Sequence, residues 1–250
     1  MNETPGRPGS HQQAPRRSPW GLLSLAVASS VLLAGLGSWQ LQRLGWKEAL
    51  IAERQASLAA PPVVLDTLAD TIPAWRRLRL NGVLLNDKSL LVGPRSYRGL
   101  PHWRLVTPLR LSGGGIVLID RGWVPDLDKK AAFAGVSKPA GPVSIDGVLR
   151  RPTPSGYFSP GNVPDKDTWF RVDPAAMASR LGLSDAAPFW VVAQAGDGTQ
   201  RAAGSYPIAD TSVSMPSNNH LSYAITWFGL SLGALVVAGF YWRRERRSIS

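Results

Sequence analysis

The chain has 250 residues, with 28 Lys or Arg against 17 Asp or Glu and no cysteine. The missing cysteines exclude disulfides, thiolate nucleophiles, Cys-bound zinc, iron–sulfur clusters and covalent c-type haem. The net charge of +11 is scattered rather than gathered into a stripe, so nucleic acid is not an expected partner.

Residues 1–19 are rich in Pro, Gly, Ser, Gln and Arg and too poor in apolar residues to fold; they read as a disordered tail. From Trp20 to Trp39 no charge interrupts the apolar run. About 20 such residues, rising about 1.5 Å each as a helix, cross a hydrocarbon core. The run exceeds the 7–15 residues, roughly, of a signal-peptide core and no small-residue cleavage site follows, so an uncleaved anchor over 20–41 is expected. Helical composition continues from Gln40 to Ala59 until Pro61-Pro62 stops it.

Residues 42–218 form one long polar stretch without a compositional break, enough for a single domain. RRLRLNGVLL alternates like a strand, Asn86-Asp87 supplies a turn, and SLLVGPR follows. WRLVTPLRL and GIVLIDRGWV flank Ser112-Gly113-Gly114 as an antiparallel hairpin. Further strands are expected at Val143–Leu149, Thr168–Val172 and Phe189–Ala195. Between the last two, Asp173 reads as an N-cap, Pro174 as the first helical residue and Gly182 as the closing one. Gly196–Ser217 is loop-rich.

Leu221 to Trp242 is a second uncharged apolar run, giving a span over 219–242 and a basic tail over 243–250. The two tails hold seven basic and two acidic residues, leaving 21 basic against 15 acidic for the remainder. Short basic flanks stay inside, so both termini are expected in the cytoplasm and the central domain outside. The fold class is therefore a membrane protein with two transmembrane helices flanking a mostly antiparallel β (α+β) extracytoplasmic domain.

The chain carries no GxSxG elbow, HExxH, Walker phosphate loop or GxGxxG after a strand. Histidine occurs at positions 11, 102 and 220. His11 lies in the tail and His102 in a surface or structural setting. His220 opens the second span after Asn218 and Asn219, and shares one helical face with Tyr223 and Trp227 at i+3 and i+7. Two readings stay open: an interfacial cap, or a neutral imidazole that ligates a haem iron. At the end of the first span stand Trp39, Gln40 and Arg43; Arg43 is either an interfacial anchor or the partner of a propionate or acidic group.

Four segments, GSWQLQRLGWKEALI, LLVGPRSYRGLPHWRLVTPL, VLIDRGWVP and NNHLSYAITWFGL, resemble in order and placement the surfeit-locus family of cytochrome oxidase assembly proteins, the Shy type in yeast. NNHLSYAITWF is the most specific of them. The resemblance implies a non-enzymatic assembly factor for a haem–copper oxidase that binds haem a and aids its insertion into subunit I, with haem a synthase as a second partner and membrane lipid around the spans. It makes His220 the axial iron ligand, and Trp39 and Tyr223 pocket residues beside Trp227 and Arg43. Arg121, Gly122 and Trp123 match the family's RGW and read as structural: a turn in the strand, a packed indole and a backbone-binding guanidinium. The short first tail, without an amphipathic presequence, fits a bacterial member in the inner membrane with a periplasmic domain. Two other readings compete: a scaffold that grips the oxidase subunit without touching haem, and an anchored exported hydrolase using carboxylates such as Asp120, Asp126 and Asp128.

Overall fold

The computed structural model describes residues 19–69, 71–125, 129–153, 156, 160–194, 206–209 and 216–247, the side chains at 19 and 129–131 aside. The chain divides into two compact units, Met1–Leu50 with Pro216–Ser250, and Ile51–Met215.

The first unit is built on two helices. α1 (Pro19–Ala59) runs unbroken for 41 residues, and its last turns belong to the second unit. α4 (His220–Arg247) has 28 residues. Both are long and apolar enough to cross a bilayer, and most of their large apolar side chains face outward. The shielded positions recur at alternating steps of three and four: Ala26, Ser30, Leu33, Gly37 and Gln40 on α1, and His220, Ala224, Trp227, Ser231 and Ala234 on α4. That spacing is the seam of a helix pair. Along it the Ser30 and Ser231 hydroxyls lie 2.8 Å apart, and the Ser231 hydroxyl also donates to the Ser30 carbonyl at 2.9 Å. Gly37 approaches the Phe228 ring so closely that an added Cβ would sit 2.9 Å from it. Small residues that admit close backbones, with hydroxyls bonded across, are the means by which helices associate in lipid.

The second unit carries seven strands among its described residues: β1 (Val63–Leu65), β2 (Arg77–Leu84), β3 (Leu90–Tyr97), β4 (Leu100–Leu111), β5 (Ile116–Pro125), β6 (Pro142–Arg150) and β7 (Ala186–Ala193). The order is β1-β2-β6-β7-β5-β4-β3, antiparallel except for β1–β2 and β5–β7. β2 also pairs with β4 through Gly82–Leu84, so β2, β6, β7, β5 and β4 close into a barrel. β4 makes this possible by its length: its first half pairs with β3 and its last three residues with β2.

Alternation sets which side chains fill the barrel. Leu78, Leu80, Ile145, Leu149, Phe189 and Val191 point inward into one core. On the outer face Leu118, Val106 and Val92 pack with Trp169 and with Met177 of α3 (Pro174–Arg180), the helix that comes after α2 (Lys129–Ala134) in the chain. β5 is thereby covered on both faces and stays buried from Ile116 to Val124, Asp120 and Arg121 included. Arg79 of β2 faces Asp146 of β6 in register and grips it at 2.7 and 2.8 Å. The guanidinium holds that carboxyl below its ordinary range.

α3 follows its sequence signals: Asp173 accepts from the Ala176 amide at 3.1 Å, Pro174 opens the helix and Gly182 takes φ +61°. The expected strand over Thr168–Val172 does not form. The Asn162 side-chain carbonyl binds the amides of Phe170 and Arg171, at 2.9 and 3.2 Å, and only isolated bridges at Thr168 and Trp169 remain. Of the expected loop Gly196–Ser217, residues 196–205 and 210–215 lie outside the described residues. Within it Tyr206 and Ile208 make single bridges to Val136 and Trp123.

Candidate functional site

At the start of α4 the Asn219 carbonyl accepts from the Tyr223 amide at 3.3 Å, which fixes the first helical turn and places His220 at its mouth. His220 then falls on the seam and meets Gln40 of α1: Nδ1 to Oε1 is 2.7 Å. A carboxamide oxygen only accepts, so Nδ1 carries the hydrogen, and a ring in this neutral tautomer has its lone pair on Nε2. This is the arrangement in which a second residue sets the tautomer and direction of a ligating imidazole.

The five residues expected at the site divide by their angle around the helices. At about 100° per residue, Trp227 lies close to the direction of His220 and is half-buried on the seam, whereas Tyr223 lies about 60° away and is 56% exposed. Trp39 is likewise 52% exposed and lies off the α1 seam. Arg43 is exposed and its guanidinium stacks over Trp46 at 4.5 Å. Among the described residues no hydrogen bond, ion pair or ring contact joins any two of the five; the hydrogen bond that one of them makes across the helix pair is His220 with Gln40. The exposed flanks of the two helices at this end carry Tyr223 and Trp39. One neutral imidazole with a free lone pair, next to aromatic and apolar surface, suits an iron porphyrin held without a covalent link.

The second unit carries its own polar cluster, around the RGW segment. Leu105 pairs with Gly122 and Val106 with Asp120, which leaves Arg121 as the extra residue of a β-bulge. The bulge turns Asp120 and Trp123 to the same face. Arg104 binds the Asp120 carboxylate through Nη2 at 2.6 Å and Nε at 2.8 Å, and lies 4.5 Å over the Trp123 ring. Arg121 itself is buried and donates to the Ser137 carbonyl at 2.9 Å. Gly122, at φ +120°, lies against the Ile208 carbonyl. Asp120 is thus tied to a guanidinium rather than paired with a second carboxylate, while Asp126 and Asp128 lie outside the described residues. Among the described residues no group of three His, Cys, Asp or Glu could hold a metal ion.

Two apolar helices, paired through a polar contact at one end and flanking a closed β-barrel, define the class: a two-span β domain with its candidate ligand at a helix mouth. Residues 27–232 match the model of the SURF1 family. The chain is 31% identical over 238 residues to a SURF1-like protein of Monosiga brevicollis, covering 90% of this chain and 87% of that one. A SURF1-like protein of Rickettsia conorii is 28% identical over 222 residues, 88% of this chain and 90% of its own. Surfeit locus protein 1 of Rattus norvegicus is 30% identical over 213 residues, 78% and 67% of the two chains. The chain belongs to the SURF1 family, the one its four motifs resemble.

Proposed function

We propose that this chain is an assembly factor for a haem–copper terminal oxidase, cytochrome c oxidase, that takes haem a as cargo and aids its insertion into subunit I. Membership of the SURF1 family, whose members assist oxidase assembly, supports the coarse reading. One observation carries the finer one: the His220 ring is oriented through Nδ1 by Gln40, at 2.7 Å, with Nε2 left to bind iron.

In this reading His220 gives a single axial bond, Gln40 holds the tautomer, and Trp227 with Tyr223 and Trp39 keeps water from the face. Arg43 offers a cation at the same level of the first helix for a propionate. Haem supplies the redox-active iron to the oxidase; the chain needs only to hold it and release it. A lone imidazole, with no thiolate or covalent attachment beside it, leaves the bond exchangeable, as a delivery step requires. The basic tail Arg243–Arg247 argues for cytoplasmic termini and a periplasmic domain in a bacterial inner membrane, with haem a synthase as the donor and subunit I as the acceptor.

The test is the haem content and absorption spectrum of the full chain purified from cells that make haem a. Wild type is expected to carry haem with an imidazole-ligated spectrum, and His220→Ala to lose it. Gln40→Leu is expected to retain the ligand but bind about 10–100-fold more weakly, the usual cost of removing a partner that orients a metal ligand. Equal haem content and identical spectra in wild type and His220→Ala would leave the scaffold reading in its place.

A further inference from the structure

The outer face of the barrel bears a cavity of about 440 Å³ whose walls come from β3, β4, β5, β6, β7 and the segment before α3. Its volume falls within the range of small-molecule sites, about 300–1,000 Å³. Its composition is unusual. Arg95, Arg104, Arg150 and Arg171 line it, and among the described residues Asp120 is its one carboxylate. Asp120 is matched by Arg104, which leaves Arg95 and Arg171 as guanidiniums of the wall with no ion pair among the described residues.

The rest of the wall is apolar and aromatic. Val148, Val192 and Asp120 stand side by side in register across β6, β7 and β5, with Arg150 opposite Trp190 two residues along. The bulge at Arg121 adds Trp123, and Val92 and Val172 close the far side. Several guanidiniums are held in place: Arg95 donates to the Phe170 carbonyl at 2.8 Å, and Arg150 stacks 3.8 Å over Trp75. Arg171 is different. Its Nη1 is shielded from water and has no hydrogen-bond partner among the described residues. A donor on a cation that is withdrawn from water and left unmade costs free energy, which an arriving oxyanion would recover.

We propose that this cavity binds a small organic anion, one phosphate or carboxylate group on a flat apolar body. Arg95 and Arg171 meet the charge, and Trp123 and Trp190 flank the body. Planar guanidiniums match the oxygens of phosphate and carboxylate as forks, and indole faces accept flat apolar groups. The Asp120–Arg104 pair braces the floor: Arg104 is spent on Asp120 and on the Trp123 ring, which keeps the indole at the wall. The cavity lies wholly within the second unit and involves none of the residues proposed to hold haem, so the two sites are separable by mutation.

The experiment is calorimetric titration of the full chain, purified in neutral detergent, with 1-naphthyl phosphate, 1-naphthol and inorganic phosphate. Saturable one-to-one binding of 1-naphthyl phosphate is expected, at least about tenfold tighter than either fragment. Arg171→Gln and Arg95→Gln should each weaken it about tenfold or more, as loss of a charged hydrogen bond does. Arg110→Gln, an exposed β4 residue outside the cavity, should leave it unchanged. Two variants guard against a fold defect in either, which circular dichroism would reveal. Repeating the titration in phosphatidylcholine and phosphatidylglycerol nanodiscs separates the sources of such a group. Competition by phosphatidylglycerol assigns the site to a lipid headgroup, and its absence to a soluble anion. The proposal is overturned if 1-naphthyl phosphate does not saturate, if 1-naphthol binds as well, or if both arginine variants bind like wild type.

Discussion

Gly122 meets two requirements at once. Its φ of +120° is one that side chains disfavour, and a Cβ there would run into the Ile208 carbonyl, whose bond with the Trp123 amide closes at 2.7 Å. Gly99 has a comparable φ, +81°, but open space around it. Gly99→Ala should therefore cost about 1 kcal/mol for the backbone alone, and Gly122→Ala about 2–4 kcal/mol because strain and collision add. Urea unfolding followed by tryptophan fluorescence checks this; equal midpoint shifts would show that the close approach to Ile208 is not what fixes the residue. The glycine was legible from the RGW motif as a turn in a strand, but its reason was not, since Ile208 lies in a stretch that reads only as loop. His220 shows the same limit. Its type and its place at the helix mouth stand in the sequence, whereas its partner Gln40 lies 180 residues away and becomes visible only when the two helices are aligned. The clue that was available is the three-and-four spacing of small and polar residues, Ser30, Gly37 and Gln40 against Ser231, Ala224 and His220.

For the helices that spacing has a direct consequence. Ser30 and Ser231 face each other with oxygens 2.8 Å apart, so the side chains at these two positions meet tip to tip, as the sulfurs of a disulfide must. The chain has no cysteine of its own, so the pair can be introduced without background. Ser30→Cys with Ser231→Cys should oxidise within one chain to a faster-migrating form on a non-reducing gel. Leu32→Cys with Ser231→Cys should not, because Leu32 is 66% exposed and faces away from the seam. Failure of the first pair to close in membranes would mean that α1 and α4 are not paired through this seam. Among the strands, local patterns served well where the partner is the next element: the Ser112-Gly113-Gly114 hairpin and the capped α3 were both readable. They failed where a side chain captured the backbone, as Asn162 does at Phe170 and Arg171. They also missed β1, three residues paired in parallel to β2, which carry too little pattern to announce a strand.

At the scale of the whole molecule, closure of the barrel depends on pairing β2 with the far end of β4, and the outer cavity depends on five strands meeting in register; neither is encoded in any local period. The two spans are different, because length and apolarity alone define them, and the charges at their ends make an argument about side. Arg243, Arg244, Arg246 and Arg247 close α4, while the first helix is preceded by Arg7, Arg16 and Arg17. The proposed orientation keeps these seven cations on the cytoplasmic side and exports a long domain, which translocates largely regardless of its charges. The absence of cysteine turns this into a clean measurement. Asp87, exposed between β2 and β3, and Ser250, the last residue, can each be replaced by a single cysteine in the full chain. In intact spheroplasts a membrane-impermeant maleimide should label Asp87→Cys and leave Ser250→Cys untouched until the membrane is broken. The opposite pattern would put the β-barrel in the cytoplasm and end the assignment of the His220 site to the outer surface. Labelling of both in intact spheroplasts would mean that α1 and α4 do not both cross.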